Sequence, residues 1–114
     1  MPKLSPPKEL SNQALDLIAT RFKALSEASR LKLIHALRHG ELSVSELVRE
    51  TGLTQANTSR HLHLLIDTGI LKRRKEGLSV YYSIADKGIF DLCENVCGSI
   101  QQRIESDAQA FGAN

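Results

Sequence analysis

A run of hydrogen-bonding side chains in the middle of the chain is the first feature that indicates a specific chemistry. From Gln55 to His63 the sequence reads QANTSRHLH, with amide, hydroxyl, guanidinium and imidazole groups and no carboxylate. Such groups can pair with the base edges and phosphate oxygens of duplex DNA. On a helix they predict a nucleic-acid contact surface made of Gln55, Asn57, Thr58, Ser59, Arg60, His61 and His63. His61 and His63 are two residues apart and point to different sides of a helix, so we expect one to reach DNA and the other to pack.

The basic run Lys72–Lys75 is the second candidate site. Residues 52–85 carry 5 Lys or Arg against 2 Asp or Glu, whereas residues 86–114 carry 2 against 5. Unevenly placed positive charge favours contact with a polyanion, although charge alone would favour the simpler interpretation of a solvated basic turn. We predict phosphate contacts from Arg73, Arg74 and Lys75.

Cys93 and Cys97 are the two cysteines of the chain, and their spacing places both thiols on one face of a helix. Paired thiolates can bind arsenite or another soft ion, four thiols from two chains can hold zinc, and oxidation or polysulfide bridging can switch a dimer. A direct disulfide is geometrically marginal, because the Cα atoms of such a pair lie about 6 Å apart. The alternative is that both are small buried hydrophobic residues, as free cysteines often are.

Helices must position most of these residues. Apolar residues at helical spacing predict a first helix from Lys8 to about Leu25, after a flexible leader at residues 1–8. Ser26 is a suitable N-cap for a second helix that Gly40 ends. The buried face of this second helix is predicted to hold Leu31, Ile34 and Leu37.

Two short helices are predicted next. Ser43 and Glu46 fit a capping box that opens a helix ending at Thr51. Thr54 is then the cap of a helix from Gln55 to about Thr68. Two short helices around a glycine-containing turn form a helix-turn-helix, which places its second helix in the major groove of DNA.

A β-hairpin is predicted after the helix-turn-helix, since the β-prone runs 70–75 and 78–84 flank Glu76 and Gly77. A basic hairpin at this position is typical of the wing of a winged helix, whose cations contact phosphates or the minor groove. Of the adjacent tyrosines, we expect one to pack under the hairpin and the other, Tyr81, to contact phosphate.

The last segment, residues 87–111, predicts a long helix with an apolar seam at coiled-coil spacing. A domain this small buries a modest fraction of its surface alone, so a second copy is the natural partner for the seam. The seam consists of Ile89, Cys93, Val96, Ile100 and Ile104.

Residues 20–85 resemble the ArsR/SmtB repressors, and three motifs within this stretch carry the resemblance. Residues 25–34, LSEASRLKLI, are similar to the family's "L-x-x-x-x-R-L-x-I-L" helix, and residues 53–65, LTQANTSRHLHLL, to its "L-S-Q-x-x-V-S-R-H-L-x-x-L" recognition helix. Residues 69–82 resemble the wing pattern "G-L-V-x-x-R-R-E-G-x-x-V-Y-Y". Thr58 stands where the family often has Val.

The resemblance implies a mainly α winged helix-turn-helix with five helices and a two-stranded wing, which dimerises through its first and last helices. It implies a repressor that binds a pseudo-palindromic operator and is released by an effector. By position, the resemblance assigns DNA reading to Gln55, Thr58, Ser59, Arg60 and His61, and the wing to Arg73, Arg74 and Lys75.

The family's metal sites do not carry over. Where its metal sensors have "E-L-C-V-C-D-L", residues 41–47 read ELSVSEL, and a serine hydroxyl is a poor ligand for zinc or a soft metal. The family's other common site uses Asp or His with His or Glu on the last helix, whereas the chain has no histidine after His63. The residues that remain able to bind a soft metal or metalloid are Cys93 and Cys97.

Composition excludes several other classes of protein. A chain of 114 residues with 41% hydrophobic and 25% charged residues suits one folded domain. It contains no apolar run that could span a membrane and no secretory signal, which predicts a cytoplasmic protein. No motif of a hydrolase, kinase or dinucleotide enzyme occurs, so we expect no catalysis. The alternatives are a winged helix that binds proteins instead of DNA, and a repressor whose cysteines are purely structural.

Overall fold

The computed structural model describes residues 9–112, which form five helices and a three-stranded antiparallel sheet. The predicted leader, residues 1–8, lies outside the described residues. None of the described helices is long and apolar enough to cross a membrane. The elements in chain order are α1 (Asn12–Leu25), α2 (Ala28–Ala36), β1 (Leu42–Ser43), α3 (Val44–Thr51), α4 (Gln55–Asp67), β2 (Leu71–Glu76), β3 (Ser79–Ile84) and α5 (Gly88–Ala110).

The predicted winged helix-turn-helix is confirmed, with one strand more than the sequence indicated. β1 pairs with β3, with Leu42 opposite Tyr82 and Ser43 opposite Tyr81. The order of strands in the sheet is therefore β1-β3-β2. A strand of two residues is too short to show the alternating pattern by which strands are recognised in a sequence.

The predicted start of the second helix was wrong. Ser26 ends α1, and its hydroxyl donates to the carbonyl of Lys23 at 2.7 Å, while Glu27 occupies the N-cap position of α2. α1 itself begins at Asn12 rather than Lys8, because the Ser11 hydroxyl caps it by accepting from the backbone N–H of Ala14. The sequence pattern located both helices but assigned Ser26 to the start of the second instead of to the end of the first.

The core lies between the helix-turn-helix and the sheet. Leu33, Ile34 and Leu37 of the second helical segment are buried, whereas Leu31, predicted to be buried, is 39% exposed. Leu31 instead faces a groove between α1 and α5. The buried face of α2 is formed by Arg30, Leu33 and Ile34, which are spaced i, i+3 and i+4 along the helix, and it does not include Leu31.

α3 is positioned by the predicted capping box. The Ser43 hydroxyl accepts from the Glu46 N–H at 3.2 Å, and the Glu46 carboxylate accepts from the Ser43 N–H at 3.0 Å. This second hydrogen bond lowers the pKa of Glu46 below its ordinary value of 4.5. The ionised Glu46 carboxylate therefore adds to the free energy of unfolding at pH values above its ordinary pKa. This contribution is lost as the pH falls through the lower pKa of the folded state.

Ser43→Ala is expected to lower the free energy of unfolding by about 1 kcal/mol, because it leaves the Glu46 N–H without its cap. Ser45→Ala is the matched control, since Ser45 is exposed in the same turn and makes no side-chain hydrogen bond among residues 9–112. Urea unfolding of both variants measures the difference. Equal stabilities of the two variants would contradict a stabilising role for the box.

Candidate nucleic-acid interface

α4 presents a polar surface to solvent. The Thr54 hydroxyl caps the helix by accepting from the Asn57 N–H at 3.1 Å, and the Arg60 guanidinium donates to Asn57 Oδ1 at 3.1 Å. This second bond orients the fork of Arg60 before any ligand is bound. Five of the predicted contact residues are exposed on the helix and define the α4 surface: Gln55, Asn57, Ser59, Arg60 and His63.

Two predicted contact residues lie elsewhere. Thr58 is 0% exposed and its hydroxyl donates to the Thr54 carbonyl, while His61 is 4% exposed and lies against Arg30. The prediction that both belong to an exposed face was wrong, because they occupy the side of α4 that packs on the core with Leu62. The expectation that one of the two histidines packs is confirmed, and it is His61 that does so.

The wing begins directly after α4. Gly69, at φ 77°, adopts a left-handed conformation that reverses the chain, and the Ile70 N–H donates to the Leu65 carbonyl at 3.0 Å. Ile70 and Leu71 then enter the core, while the following side chains of β2 are exposed. The wing therefore leaves the body of the domain beside α4, with its cations in solvent.

Arg74 differs from the other wing cations, because it is paired within the chain. Its Nη2 lies 2.5 Å from Glu41 Oε1 and its Nη1 lies 2.7 Å from Glu76 Oε2. These hydrogen bonds raise the pKa of Arg74, and the bond from Arg74 lowers the pKa of Glu41. Within residues 9–112, the wing cations that form no ion pair are Lys72, Arg73 and Lys75.

Both tyrosines of β3 are half-buried, and one of them packs under the hairpin as expected. Tyr82 packs against the core, opposite Leu42 of β1. The Tyr81 ring lies on the other face, where the Arg74 guanidinium stacks on it at 4.9 Å from the ring centroid. Tyr81 thus helps to hold Arg74, and its contact with phosphate stays a prediction.

Cys93 and Cys97 line an apolar groove of about 640 Å³ between α1 and α5, which we call the thiol groove. Cys93 is half-buried and Cys97 is exposed, so within one protomer only the first could serve as a buried hydrophobic residue. The other side chains of the groove include Phe22, Leu25, Leu31, Val96, Ile100 and Ile104.

The side chains present do not form a metal centre within one protomer. Among residues 9–112, no group of three or more His, Cys, Asp and Glu side chains could hold a metal ion. Ser43, at one of the positions where the family's metal sensors carry cysteine, is committed to the α3 cap. The donors of this chain therefore do not fit a metal at that position.

The fold and the α4 surface define a winged helix-turn-helix of the DNA-binding class. The family model described as "Bacterial regulatory protein, arsR family" matches residues 27–73. The chain is 41% identical over 88 residues to the "Cadmium resistance transcriptional regulatory protein CadC homolog" of Staphylococcus aureus, an alignment that covers 76% of this chain and 73% of that protein. The chain therefore belongs to the ArsR family of bacterial regulatory proteins.

Two further comparisons agree with this assignment. The "Probable mercury resistance operon repressor" of Streptomyces lividans is 36% identical over 68% of this chain, and the alignment spans 62% of that protein. The homodimeric winged helix-turn-helix DNA-binding domain of Mb0332 from Mycobacterium bovis superposes with a TM-score of 0.74 at 29% identity, covering 85% of this chain and 93% of that domain.

Proposed function

We propose that the chain is one protomer of a homodimeric transcription repressor that lays α4 in the major groove of operator DNA and the wing along the adjacent backbone. The observation that carries the proposal is the α4 surface, which is exposed, rich in hydrogen-bonding groups and free of carboxylates before Asp67. Side chains of this kind supply direct base readout and phosphate contacts. Such a repressor acts in the bacterial cytoplasm, where its operator lies.

The homodimer is supported by apolar side chains that one protomer leaves in solvent. On α1, Leu17 is 67% and Phe22 is 52% exposed, and on α5 Ile100 is 56% and Ile104 is 62% exposed. Exposed apolar patches of this kind mark interaction surfaces. The Mb0332 domain, which has the same fold, is described as homodimeric.

The test begins with a library of random-sequence duplexes, from which the wild-type protein selects an operator. Fluorescence anisotropy then compares its affinity for the selected duplex with that for a mixed-sequence duplex, at two salt concentrations. A repressor binds the selected duplex at least about 1,000-fold more tightly. A winged helix that recognises proteins instead of DNA would enrich no sequence and would show no difference.

The wing is expected to supply phosphate contacts through Arg73 and Lys75, which are exposed and form no ion pair within residues 9–112. The Arg73→Ala/Lys75→Ala variant should therefore lose affinity by the same factor for the selected duplex and for the mixed-sequence duplex. In a plot of the logarithm of the association constant against the logarithm of the salt concentration, the slope should become less steep by about 1 for each phosphate contact removed. Lys32→Ala, which removes an exposed charge from α2, is the control and should leave the slope unchanged. An unchanged slope in the wing variant would remove the wing from the contact surface.

We further propose that Cys93 and Cys97 form the effector site, through capture of a soft metal ion or metalloid or through oxidation. Both thiols line the groove between α1 and α5, which are the helices that carry the exposed apolar residues. Thiolates are the ligands that soft metals prefer, and the relatives from S. aureus and S. lividans are named for cadmium and mercury resistance. The alternative is that both thiols pack in the dimer without an effector role.

The Cys93→Ser/Cys97→Ser variant should bind the selected duplex like the wild type but should no longer be released from it by arsenite, cadmium or polysulfide, because hydroxyls bind soft ions poorly and do not form persulfides. Anisotropy during titration with each reagent measures the release, and mass spectrometry identifies the adduct on the wild type. Normal release of the variant would leave the cysteines with a structural role.

A further inference from the structure

A buried polar cluster joins α1, α2 and α4. Arg30 is 9% exposed and His61 is 4% exposed, within a core that is otherwise apolar apart from Thr58 among the described residues. The Arg30 Nε donates to the Ala24 carbonyl at 2.5 Å, and its Nη1 donates to Glu27 Oε2 at 2.8 Å. The guanidinium thereby holds the last turn of α1 against the N-cap residue of α2.

His61 extends the cluster to the recognition helix, a contact that the sequence did not indicate. Nδ1 of His61 lies 3.3 Å from Nη1 of Arg30. A guanidinium offers donors and no acceptor, so this contact is a hydrogen bond in the tautomer whose Nδ1 accepts and whose ring proton is on Nε2. Nε2 lies 3.5 Å from Glu27 Oε1. This tautomer therefore places an acceptor at the guanidinium and a donor towards the carboxylate.

Within residues 9–112, no other side chain of α4 hydrogen-bonds to another helix. The Thr58 hydroxyl bonds to its own helix, and Leu62 and Leu65 contribute apolar packing. Apolar packing is non-directional, whereas a hydrogen bond depends steeply on angle. The contact of His61 with Arg30 is therefore suited to define the rotation of α4 about its own axis.

We propose that His61 is a positioning residue, which sets the rotation of α4 through Arg30 and Glu27 and thereby directs Asn57 and Arg60 towards the base edges. The inference rests on the proposed function. His61 directly follows Arg60 and lies one turn after Asn57, so a rotation of the helix displaces both side chains. The cluster also connects α4 to the end of α1, whose Phe22 lines the thiol groove, and so joins the proposed effector site to the DNA-reading helix.

The test compares His61→Leu, which removes both ring nitrogens but fills the same apolar space, with His61→Asn, whose carbonyl oxygen replaces the Nδ1 acceptor. His61→Leu should bind the selected duplex about 10-fold less tightly, with its affinity for a mixed-sequence duplex and its salt slope unchanged, because no phosphate contact is lost. His61→Asn should recover the affinity to within about 3-fold of the wild type. If His61→Leu does not fold by circular dichroism, His61→Gln takes its place, since it offers no acceptor at the Nδ1 position.

A double-variant cycle with Arg30→Met separates positioning from direct contact. The two side chains are 3.3 Å apart and act as one unit. The His61→Leu/Arg30→Met variant should therefore bind the operator as tightly as whichever single variant binds it less tightly. Additive losses, or a selected-to-mixed affinity ratio that stays at the wild-type value in His61→Leu, would overturn the inference. A wild-type protein that selects no duplex would contradict the proposed function instead.

Discussion

Arg60→Ala is expected to cost about 1–3 kcal/mol of operator binding for each half-site, while the dimer stays intact. Arg60 is exposed on α4 and its guanidinium donates to Asn57. The planar fork of a guanidinium matches a guanine edge, to which it can donate two parallel hydrogen bonds. Alanine removes both bonds and leaves the base edge without a partner. Anisotropy with the selected duplex measures the loss, and sedimentation measures the mass of the protein.

Arg60→Lys is the matched control, because it keeps the charge but not the planar fork. Lysine should retain the wild-type affinity for mixed-sequence DNA and still lose most of the preference for the selected duplex. If Arg60→Ala bound the selected duplex as tightly as the wild type, the assignment of α4 as the recognition helix would fail. If lysine restored the preference, Arg60 would be a phosphate contact rather than a base contact.

Ile100→Asp is expected to convert the dimer to monomers and to lower operator affinity by at least about 100-fold, since each monomer can bind only one half-site and the gain from linkage is lost. Ile100 is 56% exposed on one protomer and lines the thiol groove with Val96 and Ile104. Closure of the dimer over this residue would bury two carboxylates without partners, which costs several kcal/mol.

Gln102→Asp introduces the same charge on the same helix, two positions further along the chain and away from the apolar seam. Gln102 is exposed, and its substitution should leave both mass and affinity at wild-type values. Sedimentation equilibrium separates the two variants. A dimeric Ile100→Asp protein would show that α5 does not form the interface through this face.

Most elements were predictable because their signals are local. The capping box of Ser43 and Glu46, the Thr54 cap and the glycines at 52 and 69 place α3 and α4 within one or two residues. The apolar spacing of residues 87–111 likewise predicted α5. Each signal depends on residues within one turn of each other, which is the range over which a helix or a turn is determined.

Apart from the ends of α1 and α2, which local caps determine, the predictions that failed depended on contacts between distant parts of the chain. Thr58 and His61 are polar in a polar stretch, and only the packing of α4 on the rest of the domain buries them, His61 beside Arg30 of α2. The strand β1 exists because β3 lies beside it, and Leu31 turned out to face α5 rather than the core. Composition and spacing describe which face of an element is apolar, but not which neighbour covers it.

The amino-acid sequence by itself determined the order of the elements, most of the helix caps, the basic wing and the position of Cys93 and Cys97 on one face of the same helix. Only the tertiary structure decided which polar side chains stay available for DNA. Arg74 meets Glu41 across 33 residues of chain, and His61 meets Arg30 across 31. The physical reason is that a polar side chain can bind either solvent and ligand or the protein's own donors and acceptors, and contacts between distant segments make that choice.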